Sequence, residues 1–470
     1  MAQKTFIGPR LRELRRQTGE TQADMAKRLD VSPAYVNLLE NNQRSLSVQM
    51  LIAISEAYSV DLRELTKDDS ARILGELRHV FNDPTFSGDK PGAQELRGAI
   101  DHAPRFVEQF LHLHQAHRQA LELIMRFGGG RGTDELLQAS PDGVILEFFR
   151  RNGNHFPELE LAAEEARATF NLWPETAYVD LRDGLLKHHR IETRIEPIDQ
   201  MSDTLRAYDE SYRLVRLSQA LNTENRVFQL AHVLALVAHG DLLRSLAREG
   251  AEVLPPHTER RLQVELANYF AAAVMMPYQP FLDEAEHTGY DLDRIAARFG
   301  ASFEQVCQRL TTLQRDGARG VPFFFLRIDR AGNVTKRFNA TASTLAEHGG
   351  ACPVWNIHTA FYTPGVIMPQ FVETPEGDRY FTVARTVHRP VFSAETQDRR
   401  LTLALGCAAE HAHRLRYSAP FNLDDPGRFA PIGITCQVCP RQACSQRAHQ
   451  PLFIDLPIDA NRRGSTRYES

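Results

Sequence analysis

The segment ETQADMAKRLDVSPAYVNLLENNQRSLS, Glu20 to Ser47, leaves little freedom in how this chain begins. Thr21 is placed to N-cap a helix that opens at Gln22, and Ala26 is small enough for a second helix to cross closely over it. Asp30 and Val31 then make a tight turn. Ser32 is the next N-cap, and Pro33 falls at the first helical position, where a missing N–H costs nothing. Val36 and Leu39 recur at a helical offset and point inward. Leu11 and Leu14 mark a preceding helix ringed by Arg10, Arg12, Arg15 and Arg16, while Leu46, Leu51 and Ile54 carry the core into a following one. Five short helices between Phe6 and Leu65 are predicted, with a helix-turn-helix at their centre.

This unit resembles the repressor-type bacterial helix-turn-helix family. It departs at Asp30, where that family often has Gly. The recognition helix would offer Ser32, Ala34, Tyr35 and Asn37 to base edges, with Gln22 and Arg44 placed for phosphates. Residues 1–67 hold ten Lys and Arg against eight Asp and Glu, a net of +2. So small an excess requires focused charge and two copies of the module, and a dimer on double-stranded DNA is expected.

Residues 68–135 read as polar amphipathic helices that space or dimerise the chain, broken by the Gly-rich run from Gly128 to Asp134. Residues 136–320 carry a second constraint. FQLAHVLALVAHG, Phe228 to Gly240, has the apolar frame of a zinc-protease helix, whose H-E-x-x-H puts two His on one face and a Glu as base. His232 fills the first position, but Val233 stands at the Glu and Leu236 at the second His. His239, seven residues on, lies roughly 10 Å along the axis, too far to share a zinc with His232. LRAYDESYRLVRL upstream reads as a hairpin, and ELANYFAAAVMMP downstream retains Glu265 where a third ligand would stand. Hairpin, histidine helix and Glu helix together resemble a bacterial metallopeptidase family, here without its base and second His. A scaffold kept for its cleft is the expectation, and Phe156, Arg194, Arg226 and Phe228 are candidate lining for a ligand. LDRIAARFGASFEQVCQRL adds a helix pair with Cys307 buried.

Strand character takes over in residues 321–425. GVPFFFLRIDRAGNVTKRF turns at DRAGN, and CPVWNIHTAF, DRYFTVARTV and RRLTLALGCAA extend the predicted sheet. The tail, 426–470, holds Cys436, Cys439 and Cys444 as C-x2-C-x4-C around Pro440. Such clustering favours ligation over disulfides. The set accepts an iron–sulfur cluster or zinc, with Cys407 the first choice for a fourth ligand and His449 the second.

Taken together, the first unit, the disarmed peptidase segment and the tail IGITCQVCPRQACSQRA resemble the short-chain fatty acyl transcriptional regulators over almost the whole chain. That resemblance implies a multidomain protein, mainly α and then α+β, with a small α/β sensor domain. It implies short-chain acyl-CoA as effector, a [4Fe–4S] cluster on Cys407, Cys436, Cys439 and Cys444, and control of propionate or acetate metabolism rather than catalysis. A regulator switched by the cysteine cluster alone, or a residual metallopeptidase, are the alternatives. With a net charge of −5 and no apolar run long enough for a membrane span or signal peptide, a cytoplasmic protein is expected.

Overall fold

The computed structural model describes residues 8–58 without 42, then 60, 70–83, 86, 90–127, 141–201, 203–249, 256–341, 345, 352–388, 400–451 and 456. The chain divides into two compact units, Met1–Ala139 and Ser140–Ser470.

The first unit opens with α1 (Gly8–Gln17), α2 (Gln22–Arg28), α3 (Pro33–Glu40) and α4 (Val48–Tyr58). The fifth predicted helix lies outside the described residues. Both expected caps form: Thr21 closes a capping box with Asp24, and the Ser32 hydroxyl accepts from the Tyr35 N–H. Asp30 takes the left-handed conformation, φ 54°, that the turn requires. Leu11, Met25, Ala26, Leu29, Val36, Leu39 and Ile54 form the core. The expected linker helices follow as α5 (Ser70–Phe81), α6 (Ala93–His102) and α7 (Pro104–Phe127), with a small core of their own around Leu74, Leu77, Leu96 and Ile100. The proposed boundary at Gly128–Asp134 lies outside the described residues.

The second unit starts with α8 (Pro141–Arg151), α9 (Pro157–Phe170) and α10 (Ala177–His189). A three-stranded sheet follows: β1 (Glu192–Glu196), β2 (Arg206–Asp209) and β3 (Leu214–Ser218), in the order β1-β3-β2. The predicted hairpin is β2–β3, antiparallel, and β2 is left at an edge. The histidine helix is α11 (Thr223–Ala238), N-capped by Asn222, and it packs on α13 (Pro256–Met275), with α12 (Gly240–Glu249) between them in sequence. Then come α14 (Tyr278–Thr288) and the expected helix pair α15 (Leu292–Phe299) and α16 (Phe303–Leu310), joined through Gly300 at φ 57°. Cys307 is buried there, as expected.

The remainder is a six-stranded sheet of β4 (Phe324–Ile328), β5 (Val334–Asn339), β6 (Met368–Glu373), β7 (Arg379–His388), β8 (Arg400–Ala408) and β9 (Phe429–Pro431), in the order β5-β4-β8-β7-β6-β9. Three of the four predicted strand segments are strands. CPVWNIHTAF is not: it forms a turn and the short helix Asn356–Thr359, with Trp355 fully buried and its indole N–H donating to Thr382. The alternation of β8 sorts its side chains between two cores. Leu403, Leu405 and Cys407 face the large core shared with the helices, whereas Ala404 faces a second core that contains Cys352, Trp355 and Ile432.

Candidate functional site

On α3, Ser32, Ala34 and Asn37 are exposed and Tyr35 is half-buried beneath the Arg44 guanidinium, 5.0 Å from the ring centre. The base of this surface is organised by Glu40, which is buried and takes Arg15 at 2.6 Å and the Gln22 amide at 2.7 Å. Burial pushes the Glu40 carboxyl up, but hydrogen bonds from Arg15 and Gln22 outweigh it and hold the group below its usual value. Gln22 is therefore tied to α3, within 3.4 Å of Asn37. Gln22 is expected from the sequence to meet phosphate; Glu40, which fixes its side chain, was not foreseen.

In the second unit, His232 and Glu265, the residues retained from a peptidase metal site, are engaged by the protein's own side chains. His232 Nδ1 lies 2.9 Å from Asn268 Oδ1, and the Asn268 amide nitrogen donates to Glu265 at 3.3 Å. That chain fixes the tautomer: Nδ1 carries the proton, and Nε2 is a buried lone pair without a partner among the described residues. Glu265 faces the Lys336 ammonium of β5 at 3.5 Å, and Lys336 also donates to Gln308 at 3.2 Å. An ammonium thus supplies the positive charge that a metal would bring to Glu265. Val233, at the position of the peptidase Glu, is fully buried.

The four candidate ligand-lining residues fare differently. Phe156 is sealed in the core against Phe148, Phe149 and Tyr269, and Arg194 is a surface residue paired with Glu192, so neither lines a cleft. Phe156 was misread because an aromatic before a helix looks the same whether it caps a core or a pocket. Arg226 donates to the Gln219 carbonyl and keeps a buried Nε without a partner; Phe228, two residues on, is half-buried. Both remain candidates. Arg206 of β2 was not foreseen. Its Nη1 is buried without a partner, and burial alone takes its pKa down to about 10.

The cysteine loop gives the clearest correction. Cys407 lies on the sheet face opposite the loop, against Phe381 and Leu405, and burial pushes its thiol far up. Cys352 lies on the loop's side. Its sulfur accepts the Gly433 N–H at 3.4 Å, and a Cβ added to Gly433 would come within 2.8 Å of Cys439 Sγ. Gly433 is thus the spacer between two sulfurs, a place only glycine can fill. Cys352 is also close enough for Cys436 and Cys439 to act on its thiol, which burial raises first and the backbone N–H groups of Gly433 and Val354 lower. Arg447, buried beside them, donates to the carbonyls of Cys436, Cys439, Arg441 and His449, and its own N–H bonds to Cys444 O. The alternative ligand His449 is exposed. A soft donor set backed by N–H groups and a buried cation suits a thiolate-held group. Among the described residues no three His, Cys, Asp or Glu side chains already converge on one metal position, so the thiols would have to turn inward to share one.

Comparison with known proteins finds three family models along the chain. A helix-turn-helix family model matches residues 11–65, an IrrE N-terminal-like domain matches 186–311, and the C-terminal domain of the short-chain fatty acyl coenzyme A regulators matches 312–468. The chain is 40% identical, over all of its length and 99% of the relative's, to the propionyl-CoA carboxylase regulator of Cereibacter sphaeroides. It belongs to the short-chain fatty acyl-CoA regulator family. Two family members from Mycobacterium tuberculosis, the transcriptional regulators PrpR and RamB, are each 35% identical over 99% of this chain and 96% and 98% of their own. A solved Mycobacterium tuberculosis transcriptional regulator superposes with a TM-score of 0.67 at 36% identity, covering 71% of this chain and all of that one.

For this family member, the buried His232 predicts a pH response. Burial first, then the charge of Arg206, take its pKa down to about 3 against the opposing Asn268 hydrogen bond. The folded chain keeps it neutral while the unfolded chain gains a proton below about 6.5. The associated stability is complete above that pH and is lost as pH falls towards 3, at roughly 1.4 kcal/mol per pH unit. His232→Leu removes the effect. Urea unfolding at pH 7.5 and pH 5 should show wild type losing about 2 kcal/mol more than the variant, and equal losses would mean that His232 is already protonated in the fold.

Proposed function

We propose that this chain is a transcriptional regulator of propionate or acetate metabolism, that it binds short-chain acyl-CoA in the second unit, and that occupancy changes its grip on DNA. The observation that carries the reading is the joint one. The chain has full-length likeness to a propionyl-CoA carboxylase regulator, and in its peptidase-type scaffold Glu265 faces Lys336 and His232 is tied to Asn268. A cleft without its catalytic base favours binding over turnover. The ligand switches the protein only by favouring one of two states, so its affinity must differ between free and DNA-bound protein.

Calorimetric titration of the full chain with CoA, acetyl-CoA, propionyl-CoA and longer acyl-CoAs tests this. Saturable binding of the short thioesters, well above that of CoA, is expected; no binding across the series overturns the acyl-CoA reading. On the DNA side, Asn37→Ala should lower affinity for an operator selected from randomised duplex by about 1–3 kcal/mol, with the loss confined to particular base pairs. An unchanged affinity would remove Asn37 from the reading surface.

Cys352, Cys436, Cys439 and Cys444 are the residues that would hold a [4Fe–4S] cluster. When bound, it supplies a redox-active crosslink between the tail and the second core of the sheet. Arg447 would offset the thiolate charge, and the Gly433 N–H would donate to Cys352.

A further inference from the structure

Five side chains of the helix-turn-helix form a polar relay whose two ends fix the direction of every amide in it. At one end Arg12, which can only donate, gives an N–H to Asn41 Oδ1 at 2.6 Å. The Asn41 amide nitrogen must then face the other way, and it donates to Asn37 Oδ1 at 2.8 Å. At the other end the Glu40 carboxylate, which can only accept, takes the Gln22 amide nitrogen at 2.7 Å. The same nitrogen reaches Asn37 Oδ1 at 3.4 Å. A cation and a carboxylate thus set the orientation of three amides that could otherwise flip.

The consequence falls on Asn37, which is exposed on α3. Its carbonyl oxygen already holds two donors, whereas its amide nitrogen has no partner among the described residues. An asparagine reads adenine with both halves of its amide, the oxygen taking N6–H and the nitrogen giving to N7. Asn37 cannot do so without releasing Asn41 and Gln22. A free amide nitrogen matches instead an edge that offers two acceptors, and in the major groove guanine alone presents N7 and O6 together. Adenine would set its own N6 hydrogens against those of the amide. Gln22, with its nitrogen spent on Glu40 and Asn37, has only Oε1 left, which suits the N4 donor of a cytosine. We propose that Asn37 reads its base as a donor only and so selects guanine over adenine, with Asn41 and Glu40 as positioning residues. This rests on the DNA-binding reading and specifies which base the recognition helix demands.

The test runs the full-length protein and its Asn37→Ala variant against a pool of randomised duplex. The position whose base preference the variant loses is the one Asn37 reads. Guanine is expected there, with adenine weaker by roughly tenfold. Replacing that guanine by 7-deazaguanine, which lacks the N7 acceptor and keeps O6, should weaken wild type several-fold and leave Asn37→Ala unaffected. Asn41→Leu frees the Asn37 oxygen and lets the amide turn, so the guanine-over-adenine ratio should fall towards one while preferences elsewhere in the site persist. A packing role for Asn41 would instead lower affinity for all sequences alike, with the ratio unchanged, and that result overturns the relay. Any base other than guanine at the Asn37 position overturns the proposal without needing the Asn41 variant. So do identical preferences in wild type and Asn37→Ala. A wild-type protein that selects no sequence from the pool is a different result and sinks the DNA-binding reading itself.

Discussion

Cys352→Ser is expected to strip the protein of iron, whereas Cys407→Ser is expected to leave it loaded. Both positions are buried cysteines in the same domain, so exposure does not separate them; the face of the sheet does. Cys407 shares its parity on β8 with Leu403 and Leu405 and stands opposite Phe381, inside the apolar core. Burial raises its thiol pKa far above the ordinary value, against the smaller lowering effect of Arg414. Cys352 has the Gly433 N–H on its sulfur, and Cys439 lies across that glycine. Cys436→Ser, Cys439→Ser and Cys444→Ser should behave as Cys352→Ser does. Iron and acid-labile sulfide measured after anaerobic purification, with the visible absorption band, check all five. Cys407→Ser should instead cost about 1–3 kcal/mol in unfolding, because a hydroxyl replaces a thiol in the apolar core. Iron loss in Cys407→Ser with retention in Cys352→Ser would restore the ligand set suggested by the family resemblance.

The contrast between those two cysteines shows which features of the chain are local. The helix-turn-helix was legible down to its caps because Thr21, Ser32, Pro33 and the left-handed Asp30 all act within a few residues of themselves. The histidine helix was legible for the same reason, since spacing along one helix decides which side chains share a face. The place of Cys352 beside the tail was not. Cys352 sits 81 residues from Gly433, in a segment whose alternation imitates a strand and which closes instead into a turn and a short helix over Thr382. Nor could spacing reveal that Lys336 of β5 would meet Glu265. Each of those pairings depends on how sheets and helices dock. Phe156 and Arg194 failed as ligand residues in complementary ways, one buried in the core and the other solvated beside Glu192.

Breaking the pair between Arg309 and Glu160 should be among the most damaging single changes in the second unit. The two are 149 residues apart, and the guanidinium is fully buried. It grips the carboxylate at both oxygens, 2.7 and 2.8 Å, while its Nε donates to the Met276 carbonyl at 2.9 Å. The Tyr269 hydroxyl adds a third donor to Glu160 at 2.5 Å. Burial on its own would raise the Glu160 carboxyl, but the Arg309 charge and hydrogen bonds, with Tyr269, more than reverse this and hold it below its usual value. Arg309→Met keeps the volume and removes the charge, leaving a buried carboxylate with no cation, so unfolding in urea at pH 7 should become easier by about 3–5 kcal/mol. The pH dependence distinguishes this cause from a packing defect. In wild type the depressed Glu160 contributes stability that is complete above its unfolded value, near 4.5, and is lost as pH falls through its lower folded value. In Arg309→Met the same carboxyl is raised by burial and takes up a proton readily, so the variant loses less on acidification. The gap between the two proteins should therefore narrow below about pH 5, and Glu160→Gln placed on top of Arg309→Met should recover part of the deficit at pH 7. A gap that stays constant with pH would mean that the pair contributes through shape alone.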